Sequence, residues 1–208
     1  MKLTVQTFLS LDGVMQAPGG PEEDPSNGFA FGGWQAPFGD ETVGAAISEL
    51  NGHASAFLLG RRTFDIFRSY WPDQTDPDDP IATAINSLPK HVASRTLTDD
   101  EATWRGEHPD TARRIDGDLA AGVAALKDEP GDELQVWGSG AMLQTVLAAG
   151  LVDRLRIFTY PLLLGSGRRL FEDGIAPSTL TPVDVSVTDQ GIVVGVYEPC
   201  GPVATGQI

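Results

Sequence analysis

The segment ELQVWGSGAMLQTVLAAG, residues 133–150, decides the fold class. Its first part, residues 133–137, predicts a strand, with apolar Leu134 and Val136 alternating with polar side chains before Trp137. Gly138 and Gly140 follow directly, and apolar residues then recur at helical spacing from Met142 to Leu147, up to Gly150. A strand that passes through glycines straight into a helix is the unit of a parallel sheet whose helices cover its faces.

The same alternation continues on both sides of this segment. Further strands are predicted over residues 2–11, 54–59, 90–94, 102–107 and 152–164, and further helices over 40–51, from 60 onward, 81–88 and 119–126. A final pair of strands, 180–188 and 192–198, forms a hairpin across Asp189-Gln190-Gly191. We therefore predict one α/β domain over residues 1–199, with a mixed, mostly parallel central sheet flanked by helices, a C-terminal antiparallel hairpin and a loose tail over 200–208.

Composition excludes several classes of partner. The 208 residues include 29 acidic and 14 basic side chains, for a net charge of −15. Such a surface repels phosphate backbones and anionic lipid, so we expect no nucleic-acid or membrane partner. No run reaches the ~18 apolar residues of a membrane-spanning helix.

Cysteine and histidine usage argues against disulfides and metal sites. The one cysteine, Cys200, cannot form an intrachain disulfide, and a reducing, cytoplasmic setting is expected. His53, His91 and His108 lack the spacing of metal ligands, so no metal is predicted.

Residues that suit an anion follow the ends of the predicted strands. Gly60-Arg61-Arg62-Thr63 and Ser94-Arg95-Thr96 each combine guanidinium groups with hydroxyls, and the glycines at 138 and 140 leave backbone N–H groups open at a helix start. The arginines could instead be ordinary surface charges. Their concentration at strand ends in so acidic a chain favours an anionic small ligand bound at the carboxyl edge of the sheet.

The segment between the first strand and the first helix is long and rich in glycine and proline. Such a loop is usually functional or disordered. Its aromatic residues, Phe29, Phe31, Trp34 and Phe38, predict a loop that packs against the rest of the domain.

Taken in order, these motifs resemble the dihydrofolate reductase-like fold. The nearer resemblance is to the C-terminal reductase domain of bifunctional riboflavin-biosynthesis deaminase–reductases and to its stand-alone relatives. The resemblance is carried by Ser10-Leu11-Asp12-Gly13, Gly60 to Phe64, Ser94 to Thr96, Gly138 to Gly140 and Pro161 to Phe171. The zinc signature of the deaminase half is missing from the chain.

The resemblance implies NADPH as the hydride donor. Gly60, Arg61, Arg62 and Thr63 would hold the 2′-phosphate and pyrophosphate region, with Ser94 and Arg95 beside the 2′-phosphate and adenine. Gly138, Ser139, Gly140, Ala141 and Met142 would lie under the pyrophosphate, and Thr7 and Phe8 would lie near the nicotinamide. The resemblance also implies a cis peptide bond between Gly138 and Ser139.

Catalysis by such a protein needs a proton donor. Asp12 and Asp40 are the candidate catalytic acids, with water as a further source. Each aspartate also has a structural interpretation: Asp12 as a turn residue before Gly13, and Asp40 as a helix N-cap.

Two functions are consistent with these residues. One is an NADPH-dependent reductase that transfers a hydride to a small pterin- or pyrimidine-like heterocycle. The alternative is a non-catalytic nucleotide- or ligand-binding protein on the same scaffold. Stand-alone relatives are commonly dimers, so a homodimer built on the C-terminal strands is also implied.

Overall fold

A computed structural model describes residues 1–39, 41–105, 109–171 and 175–207. The strands are β1 (Lys2–Ser10), β2 (Ala54–Gly60), β3 (Lys90–Ala93), β4 (Ala112–Arg114), β5 (Glu133–Trp137), β6 (Arg154–Tyr160), β7 (Thr179–Val187) and β8 (Val193–Gly201). The α-helices of the described residues are α1 (Glu41–Gly52), α2 (Arg61–Tyr70), α3 (Pro80–Ser87), α4 (Leu119–Asp128) and α5 (Gly140–Ala148).

These strands form one sheet in the order β4-β3-β2-β5-β1-β6-β8-β7. Every pairing from β4 to β6 is parallel, because helices or long connections return the chain to the same edge between these strands. β8 then pairs antiparallel with both β6 and β7. The predicted mixed, mostly parallel sheet with a C-terminal antiparallel hairpin is confirmed.

The two faces of the sheet differ in chemistry. Because side chains alternate along a strand, Leu3 and Val5 of β1 join Leu134 and Val136 of β5 in an apolar core with α4 and α5. The opposite face, towards α1, carries the alternate residues. On β1 these begin with buried Thr4 and Gln6 and continue with Phe8, which packs on Trp137 and Tyr160. Polar groups are therefore buried on this second face.

Two predicted strands are corrected. Residues 102–105 form no strand; Ala102 and Trp104 are buried in the core without joining the sheet, and residues 106 and 107 lie outside the described residues. The strand at this edge is β4 instead, paired with β3. β6 ends at Tyr160 because Pro161 has no N–H to continue the ladder.

The C-terminal strand is longer than predicted. β8 continues to Gly201, which pairs with Thr179, so Cys200 belongs to the strand instead of a tail starting at residue 200. Residues 202–207 lie outside helices and strands and are exposed. In the described residues, every helix is too short or too polar to cross a membrane.

Aromatic residues anchor the long loop before α1. The Trp34 ring packs edge-on against Tyr160 with the ring centroids 5.3 Å apart, and its Nε1 donates to the Gln16 carbonyl at 2.8 Å. Phe29 is also buried, whereas Phe31 is 48% exposed. The loop thus packs on the sheet, as predicted, and forms one wall of the cleft described next.

Candidate functional site

A cleft of about 1650 Å³ lies at the carboxyl ends of β1, β2, β3 and β5. Its walls come from these strand ends, from the starts of α2 and α5, and from the loop before α1. The structure brings every predicted cofactor-binding residue to this cleft: Thr7, Phe8, Gly60, Arg61, Arg62, Thr63, Ser94, Arg95, Gly138, Ser139, Gly140, Ala141 and Met142. Side chains separated by more than a hundred residues in sequence thus share one surface.

The helix N-termini at the cleft differ from those elsewhere in their caps. Among the described residues, no side chain bonds to the first-turn N–H groups of α2 or α5. By contrast, Asp79 caps α3 and Asp118 caps α4. The open N–H groups of α2 and α5, together with the positive end of each helix dipole, suit phosphate oxygens.

The turn between β5 and α5 differs from the prediction. No peptide bond between described residues is cis, so the Gly138–Ser139 bond is trans and the predicted cis bond is wrong. Consecutive left-handed residues make the turn instead, with φ of 62° at both Gly138 and Ser139. Such a φ is uncommon for serine.

Hydrogen bonds hold Ser139 in this conformation. Its Oγ accepts the Gly60 N–H at 2.8 Å and lies 3.0 Å from Thr63 Oγ1. The serine therefore ties the start of α5 to the start of α2. Both helix N-termini are fixed relative to each other across the cleft.

The cleft arginines differ in their partners. Arg61 Nε donates to Asp65 at 2.7 Å, and Arg62 donates to Asp24 at 3.0 Å. Arg168 also pairs with Asp24, whose carboxylate is buried. Arg95 is exposed and has no acidic partner among the described residues. Its guanidinium is therefore the one best able to bind a ligand phosphate.

Asp12, one of the two predicted catalytic acids, does not lie at the cleft. Asp12 is not part of the wall; its carboxylate accepts N–H bonds from Leu164 at 3.1 Å and Gly165 at 2.9 Å. The Ser10 hydroxyl and these N–H groups lower the pKa of Asp12 to about 2, against the smaller opposing effect of burial. Asp12 is thus ionised and unsuited to donate a proton. Asp40 lies outside the described residues.

Sequence reasoning missed acidic residues contributed by the long loop. Glu23 lines the cleft, and burial raises the pKa of its carboxyl even though the N–H groups of Gly19 and Gly20 donate to it at 2.6 and 3.1 Å. Asp24, beside it, holds Arg62 and Arg168. No periodicity or motif marks either acid, because their positions depend on how the loop folds back over the sheet.

Sequence reasoning also missed a buried polar wall. Gln6 and Asn51 line the cleft although their side chains are almost fully buried. Beneath them Arg156 makes a two-fold hydrogen bond to Glu133, with both N–O distances 2.7 Å. Burial raises the pKa of Glu133, but hydrogen bonds from Arg156, Gln135 and Thr4 outweigh it, so the net shift is downward. Polar residues at alternate positions of apolar strands are the signal that could have revealed this wall.

Comparison with known proteins identifies the family. Residues 1–194 match the family model described as the RibD C-terminal domain, and the chain belongs to that family. The uncharacterized protein YyaP of Bacillus subtilis (strain 168) is 26% identical over 202 residues, covering 94% of each chain.

Solved structures share the fold. A pyrimidine reductase-like protein of Corynebacterium diphtheriae superposes with a TM-score of 0.63 at 14% identity, over 96% of this chain and 92% of that one. A deaminase/reductase of Thermotoga maritima gives the same TM-score and identity, over 96% of this chain. This chain spans 56% of that longer protein.

Proposed function

We propose that this protein is an NADPH-dependent reductase that transfers a hydride to a small pyrimidine-like heterocycle. The observation that carries the proposal is the cleft itself, where the uncapped N-termini of α2 and α5 and the unpaired Arg95 surround space for an elongated anion. The family assignment supports a reductase. A structural relative is described as a 5-amino-6-(5-phosphoribosylamino)uracil reductase as well as a deaminase.

The cleft residues suit the phosphates of a dinucleotide. The first-turn N–H groups of α2, from Arg61 to Thr63, and those of α5, from Gly140 to Met142, would hold the pyrophosphate. Arg95, beside Ser94, would pair with the 2′-phosphate that distinguishes NADPH from NADH. Thr7 and Phe8 would face the nicotinamide. The bound cofactor would supply the hydride.

The chain's own contribution is to bind, orient and exclude water. Phe8 and Trp137 pack with ring centroids 5.9 Å apart and present an apolar surface on which a flat ring can lie. Holding the donor and acceptor rings together in the right orientation lowers the entropic part of the activation barrier for hydride transfer. Glu23, which lines the cleft and whose pKa is raised by burial, or water would supply the proton.

A direct test combines binding and turnover. We expect NADPH to bind with a fluorescence change, and NADPH absorbance to fall when a panel of pyrimidines and pterins is added. Tight NADPH binding without oxidation by any heterocycle would favour the alternative, a non-catalytic ligand-binding protein on this scaffold. Absence of NADPH binding would contradict the reductase proposal.

A further inference from the structure

The cleft continues past the predicted cofactor residues into a region between α1, α2 and α3. Its volume of about 1650 Å³ exceeds the roughly 300–1,000 Å³ of an ordinary small-molecule site. We call this region the apolar extension; it is lined by Ile47 of α1, Phe67 and Tyr70 of α2, Trp71 directly after α2, and Ile81 and Ile85 of α3. These six residues lie outside the predicted cofactor site, so the proposed function leaves the apolar extension without a ligand.

Three aromatic rings form a row along one side of the apolar extension. The ring centroids of Phe67 and Trp71 lie 6.1 Å apart and those of Tyr70 and Trp71 lie 5.2 Å apart, each pair in an edge-to-face arrangement. Tyr70 is 55% exposed, and Phe67 and Trp71 are only partly buried. Large aromatic side chains that remain accessible within a concave surface are typical of a site that a ligand covers.

The apolar extension is continuous with the surface on which the acceptor ring is proposed to lie. The side chains that pack on the buried cluster containing Trp137 include Phe8, Ile47, Phe67 and Trp71. All five residues also line the cleft. A ligand whose ring lies on Phe8 and Trp137 can therefore place a substituent against Ile47 and the aromatic row without leaving the cleft.

Charged groups are kept away from the apolar extension. Among the described residues, no charged side chain of α1, α3 or the second half of α2 lines the cleft. Arg61, the first residue of α2, lies about 13 Å along the helix axis from Tyr70, the last. The Arg68 guanidinium donates instead to the Glu101 carbonyl and to Thr103 Oγ1, both at 3.3 Å. A phosphate or carboxylate placed here would lose hydration without gaining a cation, which costs free energy.

We propose that the apolar extension binds an aromatic or branched aliphatic substituent of the acceptor ring and excludes an anionic one. The inference rests on the proposed function, because the ring that carries this substituent is the proposed hydride acceptor. The protein thus selects its acceptor by the substituent as well as by the ring. A phosphorylated sugar in this region is a poor fit, because its negative charge would lie among apolar side chains.

Three uracils substituted at N1 test the wild type. Calorimetry without cofactor compares 1-methyluracil, 1-benzyluracil and 1-(4-carboxybenzyl)uracil, which share one ring and differ in the substituent. We expect the benzyl compound to bind at least about tenfold more tightly than the methyl compound, because binding removes the apolar surface of the phenyl group from water. The carboxylate should weaken binding about tenfold or more relative to the benzyl compound, because it has no cation to pair with.

A cation placed in the apolar extension should reverse the order of the two benzyl compounds. Ile81→Lys should weaken binding of 1-benzyluracil and strengthen binding of the carboxybenzyl compound about tenfold, as expected for a charge-assisted hydrogen bond. The matched control is Val203→Lys, which adds the same charge at a 52% exposed valine outside the cleft. It should leave all three affinities unchanged, which separates a local effect from that of a less negative protein.

A second variant keeps the test decisive if Ile81→Lys does not fold, which thermal melting shows. Tyr70→Ser removes one ring of the aromatic row at a 55% exposed position. It should reduce the preference for 1-benzyluracil over 1-methyluracil about threefold or more, because less apolar surface is covered on binding. The comparison of the three uracils with the wild type needs neither variant.

The outcomes separate this inference from the proposed function. Equal binding of the benzyl and methyl compounds, no binding of either, or tightest binding of the carboxybenzyl compound to the wild type would overturn the inference. Unchanged affinities in folded Ile81→Lys would also overturn it. If these preferences hold but NADPH neither binds nor is oxidised, the reductase proposal fails and the apolar site stands. If NADPH is oxidised equally well with methyl- and benzyl-substituted rings that bind equally, the reductase stands and the inference falls.

Discussion

Arg95 is the residue on which we expect the choice between NADPH and NADH to depend. It lies just past the end of β3, its guanidinium is exposed, and no acidic side chain among the described residues neutralises it. Arg61 and Arg62, in contrast, are engaged by Asp65 and Asp24. In a chain of net charge −15, an unpaired cation at the cleft is a local exception that attracts an anionic group.

Replacing Arg95 should change the preference between cofactors. Because a hydrogen bond to a charged group contributes about 1.5–3 kcal/mol, Arg95→Ala should weaken NADPH binding about tenfold or more and leave NADH binding little changed. Arg61→Ala should have the same sign with a smaller effect, since Asp65 already holds that side chain. Fluorescence titration with both cofactors measures this.

The control for this experiment is Arg113→Ala, an exposed arginine of β4 that lies outside the cleft wall. It should leave both affinities unchanged. If Arg95→Ala weakens the binding of NADPH and of NADH equally, Arg95 does not bind the 2′-phosphate.

The charged carboxylate of Asp12 stabilises the fold by accepting hydrogen bonds from several parts of the chain. It joins the turn after β1 to the N–H groups of Leu164 and Gly165, and Arg169 Nε donates to its carbonyl at 2.8 Å. Asp12→Asn keeps one acceptor oxygen and loses the charge. We expect it to lower the free energy of unfolding by about 1–2 kcal/mol at neutral pH, measured by urea denaturation.

The pH dependence of that difference follows from the lowered pKa. The pKa of Asp12 falls from its ordinary 3.8 to about 2 in the folded protein, so the ionised form favours folding. Its stabilising contribution is complete above the unfolded value and is lost as the pH falls through about 2. The wild type and Asp12→Asn should therefore converge in stability as the pH drops from 4 towards 2. A difference that stays constant over this range would contradict the assignment.

At the scale of elements, the backbone conformation of the β5–α5 turn determines where the N-terminus of α5 lies in the cleft. At Gly138 a Cβ would meet only ordinary contacts, Thr63 Oγ1 at 3.6 Å and Met15 Cε at 3.9 Å. The requirement for glycine comes from φ of 62°, which costs an L-residue about 1–2 kcal/mol and a β-branched residue more.

Gly138→Val should therefore lower stability and weaken NADPH binding together, because relaxing the strained φ moves the N-terminus of α5. Thermal melting and fluorescence titration report the two effects. Gly150→Val is the matched control: its φ of 65° imposes the same strain just beyond the other end of α5, outside the cleft wall, and a Cβ there meets nothing within 4 Å, so it should lower stability and leave NADPH binding unchanged. If Gly138→Val lowers the melting temperature but leaves NADPH affinity unchanged, the conformation of this turn does not position the cofactor site.

Strands and helices with a strong local pattern could be predicted from the sequence. β5 and α5 follow from alternating apolar residues, a glycine pair and helical spacing, all of which are local. β4 could not, because Ala112–Arg114 is short and becomes a strand only by pairing with β3. The strand predicted near Trp104 failed for a related reason, since burial of apolar side chains does not require a ladder.

The residues of the candidate site also fall into those that could be predicted from the sequence and those that could not. Its arginines and glycines follow strand ends, so their positions could be inferred from the order of elements. The positions of Glu23 and Asp24 depend on the path of a long loop, and the burial of Gln6 and Asn51 beside the cleft depends on how α1 packs on the sheet. Asp12 looked like an available acid because the N–H groups that bond its carboxylate, those of Leu164 and Gly165, lie more than a hundred residues away in sequence.

For the whole molecule, the β7 end of the sheet determines how copies of the chain can assemble. β7 is the last strand in the order and, within the described part of the chain, pairs with β8 alone. Val183, Val185 and Val187, at alternate positions of this strand, are 51%, 53% and 65% exposed. Exposed edge strands with apolar side chains are generally protected from uncontrolled association, and pairing between copies is one means of doing so.

A homodimer through β7 and β8 therefore remains our prediction for the assembly. Light scattering at micromolar concentration should give about twice the mass of one chain.

Val185→Glu should weaken the dimer at least about tenfold, because a two-fold interface contains each substitution twice and the added like charges repel each other in an already acidic protein. The matched control is Val203→Glu, which introduces the same charge at a 52% exposed valine beyond β8. A wild-type monomer would refute the dimer. Equal dimerisation of Val185→Glu and Val203→Glu would place the interface on another surface. Both variants add one negative charge at an exposed valine, and only Val185 lies on the proposed interface.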